Sequence, residues 1–226
     1  MLATVRERLE RACERAGRDP REVRLVAVTK GHDAAEVRRV LLDHGHRVLG
    51  ESRVQEWRTK AEALGPGIEW HLVGHLQTNK VRYCRPFTLL HGVDSARLIT
   101  ALDQGGARHG HVFPVLLQVN VAGETSKFGV AAGEVEDLVA RLDDAPHVRL
   151  EGLMTMAPFD PDPERARPLF AALRALSERF AGGRTSMGMS DDFEVAVEEG
   201  ATWVRIGSAL FGTDPTEVAQ EVHACR

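Results

Sequence analysis

Lys30 is the residue of this chain best suited to covalent chemistry. It follows the apolar run 23–29 (VRLVAVT) and is one of four lysines (Lys30, Lys60, Lys80, Lys127) in a sequence whose Lys and Arg total 29. A chain that takes most of its positive charge from arginine keeps lysine here. Of the two, only lysine readily loses its proton and attacks a carbonyl carbon as a free amine. Partial burial at the mouth of a strand favours that neutral form; the competing reading is a strand-end lysine reaching back to water. Lys127, inside 123–129 (GETSKFG), is the rival. It lies in a glycine-containing loop that holds a side chain less firmly, so Lys30 is preferred.

The last quarter carries the second signal. Residues 186–192 (SMGMSDD) and 205–212 (RIGSALFG) each follow a short apolar strand and bring Gly and Ser together. Gly allows close backbone approach, hydroxyls donate hydrogen bonds, and the free amides of a helix start attract anions, so Ser190, Gly207 and Ser208 form a candidate phosphate site. The alternative for Ser190 is a helix cap, with Asp191 and Glu194 completing a capping box. Arg205, at the end of a buried strand, needs a partner, either an acidic side chain or a ring nitrogen of a bound cofactor. A lysine, an arginine and a phosphate site around one ring describe a place for pyridoxal 5′-phosphate. His71 and His75 have the spacing of helical metal ligands, but their segment reads as strand and then loop, so no metal is expected. The pairs His44/His46 and His109/His111 read as turn histidines at helix C-termini, where positive charge is favourable. Ser52 with Gln55 reads as a capping box.

These residues need a scaffold, and the chain alternates. Strand-like segments at 24–29, 47–49, 69–72, 89–92, 112–119, 148–153, 185–187 and 202–206 are separated by helical patterns at 34–44, 53–64, 79–84, 96–108, 133–142, 163–180 and 191–199, after a charged first helix at 4–16. Eight strands alternating with helices imply a parallel sheet, and the count predicts a (β/α)8 TIM barrel with an extra N-terminal helix; an open doubly wound sheet is the competitor. Barrel chemistry sits at the C-terminal strand ends, where Lys30, Ser52, Met154, Ser190, Arg205, Gly207 and Ser208 all fall. No Pro/Gly/Ser-rich linker divides the chain, so residues 1–226 are expected to form a single domain.

Composition narrows the function. A net charge of −4 with no basic cluster argues against nucleic-acid binding. No apolar stretch is long enough to span a membrane, and the charged N-terminus lacks a signal-peptide core. Three widely spaced cysteines, Cys13, Cys84 and Cys225, fit a reducing cytoplasm rather than a disulfide framework.

Seven segments, 25–30 (LVAVTK), 50–56 (GESRVQE), 71–80 (HLVGHLQTNK), 119–129 (VNVAGETSKFG), 152–158 (GLMTMAP), 186–193 (SMGMSDDF) and 203–212 (WVRIGSALFG), resemble, in order, those of the pyridoxal phosphate homeostasis proteins, also called the proline synthetase co-transcribed family. The resemblance implies a fold-type-III barrel like the N-terminal domain of alanine racemase. It implies pyridoxal 5′-phosphate held on Lys30 as a Schiff base, its phosphate on Ser190, Gly207 and Ser208, and Arg205 facing the pyridine nitrogen, with Ser52 and Met154 as further contacts. Members are regarded as cofactor carriers or regulators without established turnover. Ser52 stands where the family commonly has Asn, and His75 where it commonly has Pro. Fold-type-III racemases take a second catalytic residue, a tyrosine, from a separate β-domain; a chain ending at Arg226 is expected to lack one, and its only tyrosine is Tyr83. A cofactor carrier, serving pyridoxal-dependent apoenzymes as a monomer or weak dimer, is therefore expected over a racemase or lyase using Lys30 as base. An aldolase-type barrel with a lysine Schiff base and no bound pyridoxal is the remaining alternative.

Overall fold

The computed structural model describes residues 1–123 and 128–212. Eight parallel strands close into a ring. They are β1 (Arg24–Val28), β2 (Val48–Glu51), β3 (Glu69–Leu72), β4 (Leu89–Val93) and β5 (Phe113–Asn120), then, after a two-residue β6 (Val130–Ala131), β7 (Val148–Met154), β8 (Thr185–Ser186) and β9 (Trp203–Ile206). Neighbours in sequence are neighbours in the sheet, β5 passes directly to β7, and β9 pairs back with β1, Leu25 lying opposite Val204. β6 lies outside the ring, paired with the end of β5 at Val119 and Asn120.

The alternation of each strand sorts its residues into two layers. On β1, Leu25 and Ala27 join the large apolar cluster between barrel and helices. Val26 and Val28 turn inward to a smaller cluster with Val73, Leu89, Leu116, Met154 and Trp203. The outer layer is covered by α2 (Ala34–Val40), α3 (Val54–Leu64), α4 (Ala96–His109), α5 (Val135–Asp143), α6 (Arg167–Phe180) and α7 (Phe193–Glu198). Phe113, Phe170 and Phe193 are fully buried there, each contributing about 1.5–3 kcal/mol from transfer out of water. The first helix, α1 (Leu2–Arg15), buries Leu2, Val5, Leu9, Ala12 and Cys13, a stripe at helical spacing. It packs on α7, where Arg8 reaches Glu194 at 2.8 Å and Arg15 reaches Glu198 at 2.7 Å.

Two expected elements differ. Residues 79–84 form no α-helix: Thr78–Tyr83 is a 3-10 turn, closed by Lys80 N–H to the Gln77 carbonyl and Cys84 N–H to the Val81 carbonyl. A segment this short cannot recover the cost of α-helix nucleation. Nor does Ser52 cap α3, whose flanking residue is Arg53 with no side-chain cap. The chain at Ser52 is still leaving the barrel.

Candidate functional site

Lys30 lies just past β1, with the same parity as the inward Val26 and Val28, and so belongs to the barrel mouth. Strand geometry persists through Thr29, whose N–H donates to the Gly50 carbonyl at 2.9 Å. Gly31 then turns the chain with φ +78°, a conformation that favours glycine. Lys30 is exposed, not the partly buried lysine its strand end predicts. Because β1 stops at Val28, the lysine stands clear of the apolar interior. Beyond the turn, the His32 ring stacks on Phe211 with centroids 3.8 Å apart, and its Nδ1 lies 2.9 Å from Glu36 Oε2. This ties the Lys30 turn to α8 (Ser208–Phe211), the short helix after β9.

On the outward side of the same strand end, a different lysine is buried. Lys60 of α3, 7% exposed, meets fully buried Glu51 at 2.5 Å and also donates to the Thr29 carbonyl, while the Thr29 hydroxyl donates to Glu51 Oε1 at 2.5 Å. Burial raises the Glu51 carboxyl above its ordinary range, against the opposing pull of Lys60 and Thr29.

Beside Lys30, where β9 pairs with β1, the loops after β8 and β9 meet. Ser190 Oγ accepts from the N–H of Gly207 at 3.3 Å and of Ala209 at 3.2 Å. Ser190 therefore bridges two loops instead of capping α7. That helix starts behind Asp192, which has no capping bond to it and accepts from Met189 N–H at 2.6 Å, while Glu194 is engaged by Arg8. A Cβ on Gly207 would come within 3.3 Å of the Val28 carbonyl, so glycine allows β9 to end close against β1. A cleft of about 380 Å³ opens here, lined by Arg8, Asp160, Ser190, Asp191, Ser208 and Ala209 among others. Its serine hydroxyls suit a phosphate group, while Arg8 on its wall is paired with Glu194 at 2.8 Å.

Beneath the mouth lies Arg205, buried in the barrel. Its Nη1 donates to Ser186 Oγ at 2.6 Å and its Nη2 to the Thr155 carbonyl at 2.9 Å. Burial pulls this guanidinium down to about 10, opposed by the charge of Asp192. Its direct partners are thus a hydroxyl and a carbonyl, with the carboxylate acting at a distance. Met154, fully buried, belongs to the apolar floor under the same mouth. Ser52 is half-buried at the exit of β2.

His71 and His75 do not converge. His71 points into the barrel, its Nδ1 2.9 Å from His91 Nε2, whereas His75 sits 3.1 Å from Asp94 and stacks on Phe128. His46 is buried, which lowers its affinity for a proton, and bonds the Val48 carbonyl; a turn histidine welcoming positive charge does not describe it. Tyr83 lies under Arg82 in the 3-10 turn. Lys127 and Cys225 lie outside the described residues. Arg8, the His32–Phe211 stack, the Glu51–Lys60 pair and the interior polar residues His91 and Ser186 went unnoticed in the sequence. The last two carry a legible sign: each is a polar residue within a barrel strand.

The match to the family model described as "Alanine racemase, N-terminal domain" spans residues 1–215. Proteins named "Pyridoxal phosphate homeostasis protein" are 42% identical in Aquifex aeolicus (93% of this chain, 96% of the relative) and 43% identical in Deinococcus radiodurans (93% and 97%). Among solved structures, PipY of Synechococcus elongatus without PLP is 36% identical with TM-score 0.79, covering 90% of this chain and 99% of PipY. PipY with PLP bound is 34% identical with TM-score 0.78, covering 91% and 100%. An alanine racemase of Clostridium difficile, 15% identical with TM-score 0.72, covers 92% of this chain and 57% of its own, and shares the fold.

Proposed function

This chain belongs to the alanine racemase N-terminal domain family and, within it, to the pyridoxal phosphate homeostasis proteins. From that premise we propose that it binds pyridoxal 5′-phosphate at the barrel mouth and serves the homeostasis and delivery of that cofactor rather than amino-acid turnover. What carries the proposal is the convergence on one barrel end of Lys30, the Ser190-bridged loops and the buried guanidinium of Arg205.

Pyridoxal phosphate supplies an aldehyde that a lysine amine takes up reversibly. Lys30 is assigned that attachment. Ser190, Gly207 and Ser208 would take the phosphate through hydroxyls and backbone amides, in the cleft that Ser190 and Ser208 line. Arg205 would face the pyridine nitrogen. A guanidinium donates hydrogen bonds and does not readily give up its proton, so it would leave the ring without firm protonation and weaken it as an electron sink. Met154 forms the floor and Ser52 a flank. The exposure of Lys30 supports exchange, because an attachment open to water can be released as well as made. A racemase needs a second acid/base facing Lys30, and Tyr83 is held under Arg82 instead.

The loaded protein mixed with a pyridoxal-dependent apoenzyme should restore that enzyme's activity over time, while showing negligible turnover on common amino acids by itself. Robust racemase, transaminase or decarboxylase turnover that disappears in Lys30→Ala would replace the carrier with an enzyme. Failure to retain pyridoxal phosphate at all would leave the aldolase-type barrel.

A further inference from the structure

The barrel interior holds a continuous line of polar side chains that cofactor attachment does not use. It starts at Arg205, whose Nη1 is 2.6 Å from Ser186 Oγ. Ser186 Oγ is 2.9 Å from His91 Nδ1, His91 Nε2 is 2.9 Å from His71 Nδ1, and His71 Nε2 is 3.0 Å from Glu69 Oε1. Glu69, at the opposite end of the barrel, also pairs with Arg24 at 2.7 Å. Ser186, His91 and His71 are all buried, the histidines at 0% and 1% exposure, so water does not compete for these bonds.

The donor directions follow from the two ends. A guanidinium only donates, and an ionised carboxylate only accepts. Ser186 Oγ therefore accepts from Arg205 and donates its O–H to His91 Nδ1. His91 then carries its hydrogen on Nε2 and donates to His71 Nδ1, and His71 carries its hydrogen on Nε2 and donates to Glu69. Reversing either ring would set two donors or two acceptors face to face in a buried space, at the cost of an unmade hydrogen bond. Two electrostatic effects agree with this direction. The His71 hydrogen bond, and then Arg24, hold Glu69 below the usual carboxylate range. Burial, with the charge of Arg205 acting the same way, pushes His91 well below its ordinary value, so it stays neutral.

We infer that His91 and His71 are positioning residues: through Ser186 they orient the Arg205 guanidinium toward the nitrogen of the bound cofactor ring, with Glu69 terminating the chain. This rests on the assignment of Arg205 to that nitrogen. Once one N–H is committed to Ser186 and another to the Thr155 carbonyl, the plane of the guanidinium is set, leaving its remaining N–H groups for the ring.

The test compares two probes, pyridoxal 5′-phosphate and its 1-deaza analogue, in which C–H replaces the ring nitrogen while the aldehyde and phosphate remain. Each is titrated into the full-length apoprotein as wild type, His91→Phe and His91→Asn. For pyridoxal phosphate, His91→Phe should raise the dissociation constant about tenfold, the size of one buried hydrogen bond. In His91→Asn the amide oxygen can still accept from Ser186, but the link to His71 is lost, so the rise should be smaller, about threefold. For the deaza analogue the three proteins should bind alike. An equal penalty on both probes would make the chain a structural feature of the core and overturn the inference, as would no penalty on either. If His91→Phe fails to fold, as read by circular dichroism, His91→Asn decides by the same comparison. Failure of the wild type to retain either probe would remove the binding assignment itself, and the inference with it.

Discussion

Thr29 and Lys30 are adjacent, yet they open onto opposite sides of one strand end. On the outward side, Lys60 is buried, with its ammonium bonded to Glu51 and to the Thr29 carbonyl. On the inward side, Lys30 is exposed at a mouth shared with the Ser190, Gly207 and Ser208 loops. Burial alone would select Lys60 as the reactive lysine. A lysine engaged as an ion-pair partner is not free to attack an aldehyde, and none of its bonding groups faces the mouth. Reach into the mouth matters more here than distance from water.

Substitutions can break this contrast. Lys30→Ala should abolish the borohydride-trappable pyridoxal adduct, while Lys60→Met should leave it on Lys30. Recovery of the pyridoxyl group on Lys60, Lys80 or Lys127 by mass spectrometry would reverse the assignment. Lys60→Met should instead cost about 3–5 kcal/mol of stability, because it strands a buried carboxylate. Urea denaturation that matches the wild type would show that the Glu51–Lys60 pair contributes nothing.

Ser190→Ala and Ser208→Ala should each weaken pyridoxal phosphate retention by about 1–3 kcal/mol, the usual loss for a hydrogen bond to a charged group. Pyridoxal without phosphate should bind much less well. Equal affinity for both would move the phosphate elsewhere.

The smallest effect concerns Glu69. A carboxylate depressed in the folded state stabilises fully above its unfolded value and loses that contribution as pH falls through the folded value. Over the pH window just below the ordinary glutamate value of 4.5, the wild type should therefore lose stability more steeply than Glu69→Gln, by well under about 1 kcal/mol for a partly exposed group. Parallel denaturation midpoints over that window would contradict it.

Much of this molecule was legible as a string. Apolar runs such as 112–119 and 148–153 became β5 and β7 within a residue or so of either end, and their spacing gave the barrel. The residues after those runs marked the mouth. Short elements escaped: β6 has two residues, too few for a periodic signal, and 79–84 followed a helical pattern but was too short to form more than a 3-10 turn. Local motifs misled where the long-range fold won. Ser190 matched a helix cap, yet its hydroxyl bonds amides seventeen and nineteen residues later, because the pairing of β8 with β9 brings those amides nearer. Lys30 was rightly placed at a strand end but wrongly expected to be partly buried, since burial there depends on how far the neighbouring strands extend.

The hydrophobic pattern is a local property: the length and residue types of a run mark it as strand or helix before any partner is met. That was enough to point to a parallel barrel, to place Lys30 at a strand end and to mark the loops that carry glycine and serine. Hydrogen-bond partners are not local. His71, His91, Ser186 and Arg205 come from four strands. Their bonds exist because ring closure sets those strands in one register, and a shift of a single residue would turn each side chain to the other face. The partnership of His91 with Ser186, from strands on different sides of the ring, was therefore decided only when the sheet closed.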